Sequence, residues 1–275
     1  MPEGDTIFRT ATVLREALAG RVVTRARAQA RPGLRRVPDL SRLEGRRVER
    51  VEARGKHLLI GFEGGLTLRT HLRMSGAWHR YAPGEVWRRP ARQASAVVET
   101  AESVAVCFNA PVVELLDDRQ LARHAPLTGL GPDLLGRTFD TDAALARLRD
   151  RDAVPLGEAL LDQRAVAGVG NVYKSELAFL AGRDPWAPVR DLDDEELRGL
   201  LAGARRLLAA NVRGGARSTR PGGGLWVYGR AGRPCRRCGT LIRVRRQGEL
   251  GRLTYWCPRC QGVGRAVDGE DGGTR

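Results

Sequence analysis

Four of the five cysteines fall into two C-x2-C pairs, Cys235/Cys238 and Cys257/Cys260, with eighteen residues between the pairs. Thiolates at this spacing can surround one tetrahedral cation. Structural Zn2+ suits the set; a rubredoxin-like iron site would need an electron-transfer context that nothing else in the chain supplies. The intervening LIRVRRQGELGRLTYW alternates and turns at Gly248 or Gly251, which predicts a β-hairpin. Cys107 lies in an apolar run and is expected to be inert core. A second chemical feature is the opening MPEGDTIFRT. A small residue after the initiator methionine permits its removal, which would leave Pro2 as a free secondary amine followed by Glu3. Third, only two of the 47 basic residues are lysines, Lys56 in RGKHLLI and Lys174 in GVGNVYKSE. Lys56 is either an ordinary turn residue or a place where a compact ammonium is wanted. In GVGN, Gly168 and Gly170 allow a tight turn. Asn171 can cap the following helix, whose N-terminal amides would face an anion; an ordinary capped turn is the competing explanation. Lys174 is then a phosphate contact or a solvated side chain. Met74, in HLRMSGAW, is either core or an apolar wedge between bases.

These residues need elements to position them. DTIFRTATVLREALAG reads as a helix with Ile7, Ala11, Leu14, Ala17 and Leu18 on one face, Asp5 as N-cap and Gly20 as stop, so Pro2 leads directly into a rigid element. The short apolar runs RRVERVEA, HLLIGF, LTLRTHL, AVVETA, VAVCF and VVELL follow, separated by Gly, Pro and charged turns. They predict an antiparallel β-sandwich or barrel rather than βαβ units. HAPLTGLGPDLL reads as a linker. LGEALLDQRAVA, NVYKSELAFLAG and DLDDEELRGLLAGARRLLAANV read as helices, RGGARSTRPGGG as a loop, and AVDGEDGGTR as a disordered tail. The chain, 275 residues long, can hold two cores and carries a formal charge of +15. Between Arg213 and Arg265 there are thirteen arginines and one acid, Glu249. Such a patch points to nucleic acid. No apolar run approaches a membrane-spanning length, no strongly amphipathic basic helix suggests a membrane surface, and no signal-peptide layout opens the chain. A cytoplasmic protein is expected.

The motifs MPEGDTI, RGKHLL, HLRMSG, GVGNVYKSE and the C-x2-C hairpin ending YWCPRCQ occur in the order found in the Fpg/Nei family of DNA glycosylases. The chain resembles that family over nearly its whole length, on the endonuclease VIII-like (Nei), actinobacterial side. The resemblance implies an α+β protein: an N-terminal antiparallel β-sandwich with a flanking helix, then a helix-two-turn-helix domain with a β-hairpin zinc finger. The expected limits are 1–122 for the catalytic sandwich, 123–135 for the linker, 136–228 for the helix-two-turn-helix domain, 229–264 for the zinc finger and 265–275 for the tail. It further implies a monomeric bifunctional glycosylase and AP lyase acting on oxidised bases in double-stranded DNA, with one structural zinc. Carried over by position, Pro2 matches the Schiff-base nucleophile, Glu3 the general acid/base and Lys56 the β-turn lysine. Asn171 matches the phosphate-binding turn residue and Arg252 the zinc-finger arginine that grips the lesion's phosphate. Met74 and Lys174 are the further expected DNA contacts.

The chemistry fits the opening. An α-amino group has a reference pKa of about 7.7–8.0, so part of it is neutral and nucleophilic near pH 7. Attack on the sugar C1′ displaces the base and gives an iminium, an electron sink for β,δ-elimination, while Glu3 shuttles protons. Two departures stand out: Asp5-Thr6 replaces the family's usual Pro-Glu, and Ser75, beside Met74, is too small to be a wedge. In Fpg relatives a long loop before the finger closes over a flipped 8-oxoguanine. Here RGGARSTRPGGGLW is short and mostly Gly and Arg, which favours oxidised pyrimidines. The alternatives are an Fpg-type 8-oxoguanine glycosylase and a non-catalytic zinc-ribbon protein; the latter would leave Pro2-Glu3 and the turn lysine unexplained.

Overall fold

A computed structural model describes residues 2–30 and 37–262. Met1, residues 31–36 and residues 263–275, with the tail expected at 265–275, lie outside them. The chain divides into two compact units, Met1–Gly136 and Arg137–Arg275.

The first unit opens with α1 (Gly4–Leu18), which buries Ile7, Ala11, Leu14, Ala17 and Leu18 on one stripe. Its N-cap is Glu3, not Asp5: the Asp5 carboxylate sits within the first turn, where it accepts from Thr6 N at 2.7 Å. Gly20, at φ +79°, turns the chain away after the helix. Eight strands follow: β1 (Val23–Ala28), β2 (Val48–Arg54), β3 (His57–Phe62), β4 (Leu66–His71), β5 (Ala77–Tyr81), β6 (Ala94–Thr100), β7 (Val104–Phe108) and β8 (Val112–Asp117). They form two four-stranded antiparallel sheets, ordered β1-β6-β7-β5 and β2-β3-β4-β8. Leu58, Ile60, Phe62 and Leu68 of one sheet share a core with Ala96, Val98, Ala105 and Cys107 of the other, and α1 closes its end. Cys107 is thus core. The segment expected as a linker instead belongs to this unit: α2 (Asp118–Ala122) and α3 (Ala125–Thr128) run through it, and Leu127 and Leu134 are buried.

The second unit holds α4 (Thr141–Arg149), α5 (Leu156–Ala159), α6 (Asn171–Leu180), α7 (Asp194–Asn211) and the hairpin β9 (Arg243–Gln247)/β10 (Arg252–Trp256). The helix expected over LGEALLDQRAVA shrinks to α5. Asp162 ends it by turning the chain: its carboxylate accepts from Arg164 N at 2.9 Å and its carbonyl from Ala165 N at 2.9 Å. A capping box of Asp193 and Glu196 starts α7. Residues 171–179 of α6 are all buried, so this helix is enclosed on every side. Among the described residues no helix is long and apolar enough to cross a membrane.

Candidate functional site

On the first unit, Pro2 is half-buried and Glu3, the next residue, is wholly buried at the head of α1. The Glu3 carbonyl accepts from Ile7 N at 3.1 Å, which ties the pair to the helix frame. Lys56 occupies the two-residue turn between β2 and β3, with Arg54 paired to His57 across it. Gly55 takes φ +57° there, a conformation other residues resist. The turn is pinned from outside by Asp133, whose carboxylate accepts from Gly55 N at 2.7 Å and Leu135 N at 3.0 Å. Burial raises the Asp133 pKa. Sequence reasoning missed this residue; an acid inside LGPDLL was its only trace.

A polar row, buried at His57 and Arg69 and partly exposed at Glu114, lies beside Lys56. Arg69 reaches His57 Nδ1 at 2.9 Å and the Glu114 carboxylate, which also holds His124 Nε2 at 3.0 Å. Burial and then the Arg69 charge push His57 down to about 2, and burial and then Arg73 push His71 down to about 4. His57 is therefore neutral and accepts from Arg69. After β4, His71 Nδ1 accepts from Arg73 N at 3.2 Å and Arg73 adopts φ +49°. A Cβ on Gly76 would lie 2.6 Å from the Leu72 carbonyl. This tight turn lifts Met74 out to 60% exposure, so it is not core.

On the second unit the N-cap of α6 is Gly170, and Asn171 is the first helical residue rather than the cap. Its Nδ2 donates to the Leu253 carbonyl at 2.7 Å, while its buried Oδ1 meets no partner among the described residues. Lys174 is neither solvated nor at the surface. It is wholly buried, and its Nζ donates to Thr254 Oγ1 at 2.6 Å and to the Leu253 carbonyl at 3.4 Å. Because α6 is enclosed, its ammonium crosses to the hairpin instead of reaching water. Tyr255 N donates to Ser175 Oγ at 3.3 Å, so three residues of α6 grip β10. Arg252 opens β10, paired with Gln247, and both Gly248 and Gly251 take positive φ in the connecting turn.

The sulfurs of Cys235, Cys238, Cys257 and Cys260 lie within 4.8 Å of one another. Cys238–Cys257 and Cys235–Cys260 are 3.4 and 3.9 Å apart. A tetrahedron with Zn–S of about 2.3 Å has edges of about 3.8 Å, so the set fits zinc. Hydrogen bonding from Thr240 lowers Cys238 to about 6, whereas burial raises Cys257 and Cys260. Four thiolates packed this closely need a cation, and with four sulfur ligands zinc has no open position for water. The zinc is structural: Phe179, Val227 and Ile242 pack with the cysteines in one cluster.

A sandwich headed by Pro-Glu, followed in the chain by a helical unit and a four-cysteine hairpin, defines the class of zinc-finger DNA glycosylases. The chain matches the formamidopyrimidine-DNA glycosylase N-terminal domain over residues 1–123, the H2TH domain of the same enzymes over 130–221, and the zinc finger found in FPG and IleRS over 232–263. It belongs to the formamidopyrimidine-DNA glycosylase family. It is 48% identical to the probable endonuclease 8 2 of Streptomyces coelicolor, over 95% of this chain and 94% of that one. It is 45% identical to the DNA-(apurinic or apyrimidinic site) lyase Nei2 of Mycolicibacterium smegmatis, over 95% and 99%. The MutM (Fpg) structure from Thermus thermophilus superposes with a TM-score of 0.78 at 31% identity, covering 96% of this chain and all of that one.

Proposed function

We propose that Pro2, exposed as an N-terminal amine by loss of Met1, is the nucleophile of this enzyme, and that oxidised pyrimidines are its preferred lesions. The chain is a bifunctional DNA glycosylase and AP lyase of base excision repair, as its family and its relatives at 45–48% identity support. The observation that carries the assignment of the nucleophile is the pairing of Pro2 with a wholly buried carboxylic residue, Glu3, at the head of a rigid helix. A carboxyl group beside the amine can pass a proton to the sugar ring oxygen as the ring opens.

In this mechanism the lone pair of Pro2 N attacks C1′ and the N-glycosidic bond breaks toward the base. Ring opening gives an iminium, whose electron demand allows loss of the 3′ and then the 5′ phosphate. The enzyme acts on damaged double-stranded DNA as a monomer in the cytoplasm. Everting the base costs a few kcal/mol; the exposed Met74 fills the gap, and Lys56, Asn171 and Arg252 hold phosphates. The stretch 213–224 contains five glycines and three arginines and has no large apolar group to cover a purine. Excision from matched duplexes tests the lesion class. Thymine glycol should be removed faster than 8-oxoguanine opposite cytosine; the reverse order would assign an Fpg-like specificity.

A further inference from the structure

A hollow of about 260 Å³ lies on the first unit, where α1 meets the connection that carries Met74. Arg9 and Thr10 line it from α1, Leu72 and Gly76 from the Met74 connection, and Trp78 and Arg80 from β5. The mechanism uses none of these residues. Leu72 and Trp78 are buried, and the Trp78 ring is fixed by its Nε1, which donates to Thr70 Oγ1 at 3.0 Å. The hollow thus combines an apolar wall with two guanidiniums.

The two arginines share a rigid frame with Met74. The Arg15 guanidinium donates twice to the Val51 carbonyl, at 2.9 and 2.6 Å, which ties α1 to β2. Gly76 N donates to the Leu72 carbonyl at 2.9 Å and closes the Met74 connection on itself. Elsewhere on this unit Arg21 pairs with Glu102 and Arg27 with Glu99. Neither Arg9 nor Arg80 has a hydrogen-bond or ion-pair partner for its guanidinium among the described residues. Two like charges on one concave wall repel each other, a cost that an anion seated between them removes.

We propose that this hollow binds one sugar-phosphate unit of the DNA strand that passes the Met74 connection, with Arg9 and Arg80 on the phosphate and Leu72 and Trp78 against the deoxyribose. This deepens the proposed function and rests on its reading of Met74 as the gap-filling side chain. A guanidinium presents a planar fork of donors that matches phosphate oxygens. A free inorganic anion would leave the apolar wall unused, whereas a backbone unit fills both parts. Phosphate contacts fix register without reading sequence. A phosphate held on the same frame as the wedge keeps the strand in place while Met74 enters the stack.

The test is a methylphosphonate scan with the full-length, zinc-loaded protein. Each linkage of a duplex containing an uncleavable abasic analogue is made neutral in turn, on both strands, and Kd is measured for wild type, R9Q, R80Q and R9Q/R80Q. Wild type should lose roughly tenfold when the seated linkage is neutral, the lower end for hydrogen bonds to a charged group. R9Q/R80Q should lose a similar factor on the unmodified duplex, show no further loss at that linkage, and keep the wild-type penalty at every other one. The single variants should fall between. The slope of log K against log salt should be shallower by about 0.9 in the double variant. R25Q, which removes an exposed arginine of β1 outside the hollow, should leave the pattern of the scan unchanged. A double variant whose penalties match wild type at every linkage, or change alike at all of them, would overturn the site. Borohydride trapping on an abasic duplex, run in parallel, separates the two failures. Such a scan with a trapped wild-type adduct overturns the site alone; absence of the adduct overturns the proposed reaction, and the inference with it.

Discussion

Lys174→Met separates a buried tether from a phosphate contact. In the structure the Lys174 ammonium spans from α6 to β10, with a 2.6 Å bond to Thr254 Oγ1 and a longer one to the Leu253 carbonyl. Removing it strands neither acceptor: Thr254 Oγ1 still donates to Gln247 Oε1 at 2.7 Å, and Leu253 O still accepts from Asn171 at 2.7 Å. A hydrogen bond to a charged group contributes about 1.5–3 kcal/mol, and relief of the ammonium's desolvation offsets part of its loss. A net cost of about 1–2 kcal/mol should lower Tm by roughly 3–8 °C. DNA affinity should fall modestly through loosening of the hairpin that carries Arg252. The salt dependence should not change, because no phosphate partner is removed. Arg252→Ala should behave oppositely, with little change in Tm and a slope of log K against log salt that is shallower by about 0.9. Salt titrations of duplex binding, with thermal melts on the same samples, measure both. A K174M slope reduced by about one with an unchanged Tm would refute the tether.

Pro2→Ala should abolish base excision while duplex binding survives, and Pro2→Gly should keep weak lyase activity through its primary amine. Glu3→Gln should lose thymine glycol excision more severely than abasic-site cleavage; equal losses would contradict its role in base departure. Metal analysis should give one zinc per chain, and Cys257→Ser should lose both the metal and DNA affinity. Histidine burial sets a pH dependence. His57 and His71 are depressed to about 2 and about 4 from 6.5, so the unfolded chain takes up protons that the folded one refuses. Stability is present above about pH 6.5 and falls below it by about 1.4 kcal/mol per unit per histidine, so the pair together approaches a slope of about 3 kcal/mol per unit between about pH 6 and 5. Urea midpoints should follow that slope, and His57→Gln should reduce it by about half.

The sequence displayed α1 through its apolar stripe, six of the eight sandwich strands through β-branched runs, and the finger through its cysteine spacing. β1 and β5 escaped because VTRARA and AWHRY carry arginine and histidine within a short run, leaving little apolar alternation. α4 lacked a strong period. Site residues were legible where chemistry demands rare types: a Pro-Glu opening, a lysine in an arginine-rich chain, four thiols. Lys174 and Asn171 were misplaced for one reason. Near a helix start an asparagine reads as a cap and a lysine as a phosphate contact or a solvated side chain, and only the tertiary packing of β10 against α6 reveals that both donate to the Leu253 carbonyl. Asp133 and Glu176 were hard to read because the backbone amides that place them, Gly55 N and Trp226 N, lie 78 and 50 residues away; the local bond from Leu135 N to Asp133 signals only an ordinary turn.

The most direct test of the central claim is borohydride trapping on an abasic-site duplex, with peptide mapping of the adduct. The account predicts a covalent protein–DNA species in high yield, its DNA attached to the peptide that begins at Pro2, and no such species from Pro2→Ala. A wild-type protein that cleaves the site without trapping, or an adduct that maps to Lys56, would contradict it.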